Sequence, residues 1–454
     1  MLTLERSIEK TVNCIERPRA SCALGGALAA ISALPGVVPI IHTALGCGGS
    51  LSGAASFGSG YFGSGYCSGF LAPSSGITEN NIVFGGNERL SEEISSALEL
   101  IDAELFIVLT GCMTEIIGDD IHAVAAEYEN EAVPVIALNT PSFKKNAYSG
   151  YEILLDGIFN KFLPPAAEHD EKLVNIFGLV PAYDPFFRGD LEEIARLLGK
   201  LGLKVNTFFT PDQTFENITS APNAGLNIVF SRTYGVDFAK SFEKRHGTPY
   251  WVTDLPIGAE ASDRFLRELQ VKLNLDARTV ERVIAAENRS YYGYFSRLAD
   301  LFGDGDLKFY SVSVSNSDYA IPVASYLQKE LGWVGLHSFV TDTLDELQER
   351  EFVRAYENSG LDAELLFETD TSRIAKTLRA KHPENRGQRY FDDITPLFIV
   401  GSTLEKVTAQ TFGAGNLAVS YPVYNRVITD RGYAAYRGGL HLFEDILSSI
   451  VAPR

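Results

Sequence analysis

Apolar and polar positions alternate along this chain in a repeating order: an apolar run, a Gly/Ser/Pro turn, then a stretch with helical spacing. That order predicts strands over 37–43, 81–85, 105–110 and 133–138, with helices over 24–33, 89–101, 115–128 and 149–162. A second set of strands follows at 173–179, 204–209, 226–231 and 249–253, with helices near 190–201, 236–246 and 260–272. A third set of strands falls at 308–314, 333–340, 364–368, 397–401 and 417–420. Strand–turn–helix repeats of this kind build parallel sheets covered by helices. The expected fold is α/β, with three Rossmann-like, doubly wound parallel-sheet domains over 1–165, 166–305 and 306–454. The length of 454 residues suits three domains of roughly 150 residues each.

One segment breaks the pattern. Residues 46–76 mix Gly, Ser and aromatics, as in Phe57-Gly58-Ser59-Gly60-Tyr61-Phe62-Gly63, without helical or strand period. It reads as an irregular loop whose rings need something to pack against, an interface or a cluster lining, or else as a surface loop.

Charge narrows the partners. The net charge is −19, which argues against nucleic acid, since binding it needs a concentrated basic face. No secretory leader precedes the first helix, and no apolar stretch is long enough to span a membrane. The expected setting is a reducing cytoplasm.

The candidate chemistry is sulfur. All five cysteines (14, 22, 47, 67 and 112) lie in the first 112 residues. Cys47 and Cys112 each end an apolar run, where ligands sit on parallel sheets, and Cys22 precedes a helix. Cysteines so placed read as thiolate ligands for a soft metal centre or an iron–sulfur cluster. The alternative for any single cysteine is a small buried apolar residue, the reading that suits Cys14 and Cys67. Three ligands are one short of the four that a zinc site or simple cluster takes, so the rest come from elsewhere in the chain or from a second chain. The histidines show no HxxxH or HxH spacing, and no Walker A, GxSxG or strand-linked GxGxxG occurs. Asp119 and Asp120, soon after Cys112, are suited to capping or orienting a helix.

These residues resemble the β-type subunit of nitrogenase component 1 and its nitrogenase-like relatives. Gly111-Cys112-Met113-Thr114-Glu115-Ile116-Ile117-Gly118-Asp119-Asp120 is similar to the family's TCMAEVIGDD, the most specific match. Ile41-His42-Thr43-Ala44-Leu45-Gly46-Cys47 resembles HGSQGC, and Cys22-Ala23-Leu24-Gly25 resembles the first cysteine motif. Asn81-Ile82-Val83-Phe84-Gly85-Gly86 resembles VFGG, and Asn139-Thr140-Pro141-Ser142-Phe143 resembles HTPSF. Pro256-Ile257-Gly258 and Tyr421-Pro422-Val423-Tyr424-Asn425-Arg426 extend the likeness over most of the chain.

The resemblance implies that Cys22, Cys47 and Cys112 are half of the ligands of an 8Fe-7S P-cluster shared with an alpha-type subunit. Ser142 matches a serine that ligates the oxidised cluster in some members. Implied partners are that subunit, in an alpha2-beta2 heterotetramer, and an ATP-dependent iron-protein reductase. The catalytic iron–sulfur cofactor would sit in the alpha-type chain, since no cysteine follows Cys112 here. The sequence departs from the family where 48–70 carries no charge and Asn139 replaces a histidine. Those departures suit a nitrogenase-like reductase of the methylthio-alkane reductase type, cleaving C–S bonds. The alternatives are a true nitrogenase (molybdenum, vanadium or iron-only) and a cofactor-assembly scaffold.

Overall fold

The computed structural model describes residues 15–61, 71–141, 143, 146–166, 168–298, 307–383 and 394–451. Cys14, Cys67 and Ser142 lie outside them. Among the described residues, twelve strands form three parallel sheets. The first pairs β1 (Val37–His42), β2 (Leu105–Thr110) and β3 (Val135–Leu138) in sequential order. The second holds β4 (Asp170–Phe177), β5 (Lys204–Asn206), β6 (Ala224–Val229) and β7 (Tyr250–Val252), in the order β5-β4-β6-β7. The third holds β8 (Tyr310–Ser315), β9 (Val334–Val340), β10 (Glu364–Phe367), β11 (Leu397–Gly401) and β12 (Gly415–Ala418), in the order β10-β9-β8-β11-β12. The second and third orders reverse, between β4 and β6 and between β8 and β11. The first does not.

The first sheet is buried on both faces, which is why its strands read as continuous apolar runs. Val38, Ile40, Phe106 and Val108 pack on α4 (Asn87–Leu100) and α6 (Ile121–Ala126) through Leu90, Ile94, Ile121 and Val124. The alternate residues Ile41, Leu105, Ile107 and Leu109 join the main core with Leu24 and Leu28 of α1 (Ala23–Ile31) and Tyr151 and Leu154 of α7 (Ala147–Leu155). Each such side chain contributes about 1.5–3 kcal/mol by leaving water. That main core runs on through the second and third sheets to Ile446. The C-terminal helix Ala435–Val451 packs on helices Phe187–Gly199, Gly258–Lys272 and Ala277–Phe295 beside the second sheet.

Three expectations are corrected. Residues expected as a strand at 81–85 form the helix α3 (Glu79–Phe84), started by a Thr78–Asn81 capping box. Its Ile82, Val83 and Phe84 point outward, so their β-rich composition reflects an apolar surface and not a sheet position. The first half of the expected loop 46–76 is the helix α2 (Leu45–Gly58). Glycine weakens a helix by about 1 kcal/mol per residue, so packing holds this one. The Tyr421 hydroxyl donates to Ala54 O at 3.0 Å, and Val423 N donates to Gly58 O at 2.5 Å. The single helix expected over 115–128 is two, α5 (Cys112–Ile117) and α6. Gly118 turns left-handed at φ 80° between them, and Asp120 caps the second by accepting from Ala123 N.

α1 and α7 meet backbone to backbone. A Cβ on Gly26 would lie 1.7 Å from Ala147 O, and one on Gly150 would lie 1.9 Å from Ala23 O. Gly26→Ala is therefore expected to destabilise the protein by about 1–3 kcal/mol or more. Gly49→Ala, where a Cβ meets nothing within 4 Å, is expected to be neutral or slightly stabilising. Thermal-unfolding midpoints of the two variants check this contrast.

Candidate functional site: a thiol edge on the first sheet

Three cysteines come to the carboxyl edge of the first sheet, each at the start of a helix. β1 and β2 run side by side, with His42 opposite Thr110. Beyond His42 the chain enters α2, where Cys47 lies in the first turn and its N–H donates to Ala44 O at 3.1 Å. Beyond Thr110 it enters α5, whose first residue is Cys112. Cys22 is the N-cap of α1, which packs on α2: a Cβ on Gly25 would lie 3.1 Å from Leu51 Cδ2. All three thiols are half-buried.

Cys22 is held from both sides. It bridges Asn146 in antiparallel fashion, and Ala147 N donates to Ser21 O at 3.0 Å. The Ser21 hydroxyl bonds the Tyr183 hydroxyl, and burial pushes that phenol up. Upstream, buried Arg19 donates to Ser402 Oγ at 3.1 Å and pairs with Glu405 at the end of β11.

Behind Cys47 and Cys112 the polar groups form two networks. His42 is fully buried, with Nδ1 2.9 Å from Ser75 Oγ and Nε2 3.0 Å from Asp119 Oδ2. Burial pushes the ring below the usual histidine range, against the opposing pull of Asp119. The ring is then neutral near pH 7, and the Asp119 carboxylate takes its one N–H from Nε2. In the second network Glu115 accepts from the Thr110 hydroxyl and from Asn139 Nδ2 at 2.7 Å, while Thr140 N donates to Thr110 Oγ1 at 2.8 Å.

Around the thiols the surface is apolar. Leu45 is 70% exposed, Ile116 74% and Phe84 86%, and Val83 and Phe143 are also exposed. Among the described residues, none has an atom within 4 Å of where a Cβ on Gly46 or Gly49 would stand, so the described surroundings leave the start of α2 open. Among the described residues, no three His, Cys, Asp or Glu side chains converge tightly enough to hold a single metal ion. An all-sulfur donor set spread along an open edge suits a soft polynuclear group better than a lone hard cation.

The family model for nitrogenase component 1 type oxidoreductases matches residues 22–451. The chain belongs to that family. It is similar to the nitrogenase molybdenum-iron protein beta chain of Methanococcus maripaludis, at 23% identity over 98% of this chain and 96% of that one. The nitrogenase molybdenum-iron protein beta chain of Sinorhizobium fredii is 24% identical over 84% of this chain and 74% of its own length. The cofactor biosynthesis protein NifE of a Nostoc species is 30% identical over 59% of this chain and 54% of its own length. Among solved structures, nitrogenase Cp1 at pH 6.5 shares the fold with a TM-score of 0.78 at 20% identity, covering 98% of this chain and 95% of that one. No helix among the described residues is long and apolar enough to cross a membrane.

Sequence reasoning missed a second polar cluster, where the second and third sheets face each other at their carboxyl ends. Asp184 accepts from Val180 N and Asn316 Nδ2, both at 2.6 Å. Asp342 accepts from Ser317 N at 2.8 Å and the Tyr234 hydroxyl at 2.9 Å. Asp190 accepts from Tyr433 N, Ala434 N and the Tyr319 hydroxyl. Among the described residues, the Ser231 hydroxyl is the polar neighbour of buried Asp318, and neither carboxylate oxygen reaches a partner at full hydrogen-bond geometry. Burial pushes Asp184 up to about 7 and Asp190 to about 6, and raises Asp318 and Asp342. Tyr148 and Tyr234 stack beside these acids at 4.6 Å. On parallel sheets this crevice is where ligands bind. In this chain its own tyrosines and acids fill it. The only sequence signal was an acid a few positions past several strands, which periodicity does not mark.

Acids held protonated by the fold make stability fall as pH rises above their unfolded value of 3.8, until the folded pKa is passed. The unfolding midpoint of Asp318→Asn, relative to the parent, is therefore expected to rise as pH increases above the unfolded value of 3.8. Paired thermal melts across that range check it. A difference that stays flat would show that Asp318 holds its proton no more tightly folded than unfolded.

Proposed function

We propose that the chain is the β-type subunit of a nitrogenase-like reductase, and that its thiol edge is half of a site completed by an alpha-type chain. The observation carrying this reading is three thiols at three helix starts, on one edge, ringed by exposed apolar side chains. Cys22, Cys47 and Cys112 would hold this chain's side of a shared 8Fe-7S P-cluster. Ser142 is proposed as a further donor to the oxidised form. When bound, such a cluster supplies electron relay between an ATP-dependent iron-protein reductase and the catalytic iron–sulfur cofactor of the alpha-type subunit. This chain's own part is to bind, orient and exclude water: the thiolates ligate, and Leu45 and Ile116 close the edge once a partner covers them. The crevice filled by Tyr148, Tyr234 and the buried acids supports a chain that leaves catalysis to its partner.

The proposed assembly is an alpha2-beta2 heterotetramer in the cytoplasm. The proposed reaction is reductive C–S cleavage of methylthio-alkanes. Its support is the uncharged stretch 48–70 and Asn139, where nitrogenases carry charge and a histidine. The 30% identity to NifE favours a second reading, a cofactor-assembly scaffold. The full set of three cysteines argues for the reductase.

Cys47→Ala or Cys112→Ala is expected to remove the cluster iron from the anaerobically purified complex, while Cys67→Ser leaves it in place. Iron analysis per chain checks this, and unchanged iron in either alanine variant overturns the assignment. Ile116→Lys places a charge in the apolar rim and is expected to weaken pairing with the alpha-type chain by about 2 kcal/mol or more, with the unfolding midpoint of the free chain unchanged. Sedimentation of the mixed chains reads the pairing.

A further inference from the structure

His42 is the last residue of β1, and its bonds reach the start of α5, the turn after α5 and the segment around Ser75. Its carbonyl accepts from Gly111 N at 3.0 Å and from Thr114 Oγ1 at 2.9 Å, which ties the strand leading to Cys47 onto the helix that begins at Cys112. Its ring bonds Asp119 in the turn after that helix. The second oxygen of Asp119 accepts from Gly86 N at 2.9 Å, at the start of α4. The other ring nitrogen faces Ser75, in the segment that returns alongside β1. His42 clamps α5 at both ends, through its carbonyl at the start and through Asp119 at the finish. The pair is well shielded, with the His42 side chain fully buried and that of Asp119 5% exposed. Removing one member strands the other in a dry site.

We infer that the His42–Asp119 pair is a positioning element that sets the spacing of the Cys47 and Cys112 thiolates and fits them to the shared cluster. The inference rests on the subunit reading above. The pair acts by holding the turn after α5 against the end of β1.

The test uses the complex with the alpha-type chain, prepared anaerobically, and two readouts besides activity. These are the half-time of iron loss to a ferrous chelator and the paramagnetic-resonance line shape of the oxidised cluster. Asp119→Ala is expected to shorten the half-time about tenfold, the size seen when an outer support of a metal ligand is lost, and to alter the line shape. Asp119→Asn keeps an oxygen for Gly86 N and an amide for the ring, and is expected to restore both readouts. Where Asp119→Ala does not assemble, Ser75→Ala frees one side of the ring and is expected to shorten the half-time about threefold. Asp190→Asn, remote from the thiols, serves as a destabilised control with parental iron loss and line shape. Parental iron loss in Asp119→Ala or Ser75→Ala overturns the inference, as does an Asp190→Asn variant that matches Asp119→Ala. A parent complex without cysteine-bound iron overturns the subunit reading, and this inference with it.

Discussion

The thiol edge depends on the parallel pairing of β1 with β2. That pairing sets His42 against Thr110, so both chains leave the sheet at the same level and both turn directly into helices. Two cysteines sixty-five positions apart are thereby brought to neighbouring helix starts with no covalent link. The pairing is stable because it is dry on both sides, with α4 and α6 on one face and α1 and α7 on the other. The polar groups at the strand ends stay buried because every one described there has a partner, save the Thr43 hydroxyl.

The same architecture is used in two opposite ways. At the first sheet the strand ends open outward, with small residues, thiols and an apolar rim. Between the second and third sheets the strand ends face each other and are sealed by stacked tyrosines and hydrogen-bonded acids. Burial raises the pKa of each acid in this centre, and each added charge would raise the cost for its neighbours. Membership of the nitrogenase component 1 type family therefore coexists, in this chain, with an interior that is closed and an edge that is not.

Much of this was legible in the sequence, for physical reasons that differ by element. β1, β2 and β11 were readable because strands buried on both faces are continuous apolar runs, and β8 because its valines alternate with serines; Cys47 and Cys112 follow β1 and β2. Asp120 was readable as a helix cap, since capping is local. Ile82-Val83-Phe84 misled because composition cannot say whether an apolar run faces the core or the solvent. The helix over 45–58 was hidden because what holds it, Tyr421 and Val423, lies more than 360 residues away. The acid centre was invisible for the same reason, with Asp184 and Asn316 separated by 132 positions.

Cys112 differs from the other two thiols in what holds it. It is placed by strands and helices completed by Leu138. The helix that carries Cys47 also rests on Tyr421 and Val423. Cys22 is anchored upstream by Arg19 on Ser402 and Glu405, almost four hundred positions later. On the ribosome, Cys112 can take its place while most of the chain is still unmade. The other two lack an anchor until the last strands emerge. The complete donor set is thus a property of the finished polypeptide, and an iron-loading partner that needs all three thiols meets them only after synthesis has passed residue 423.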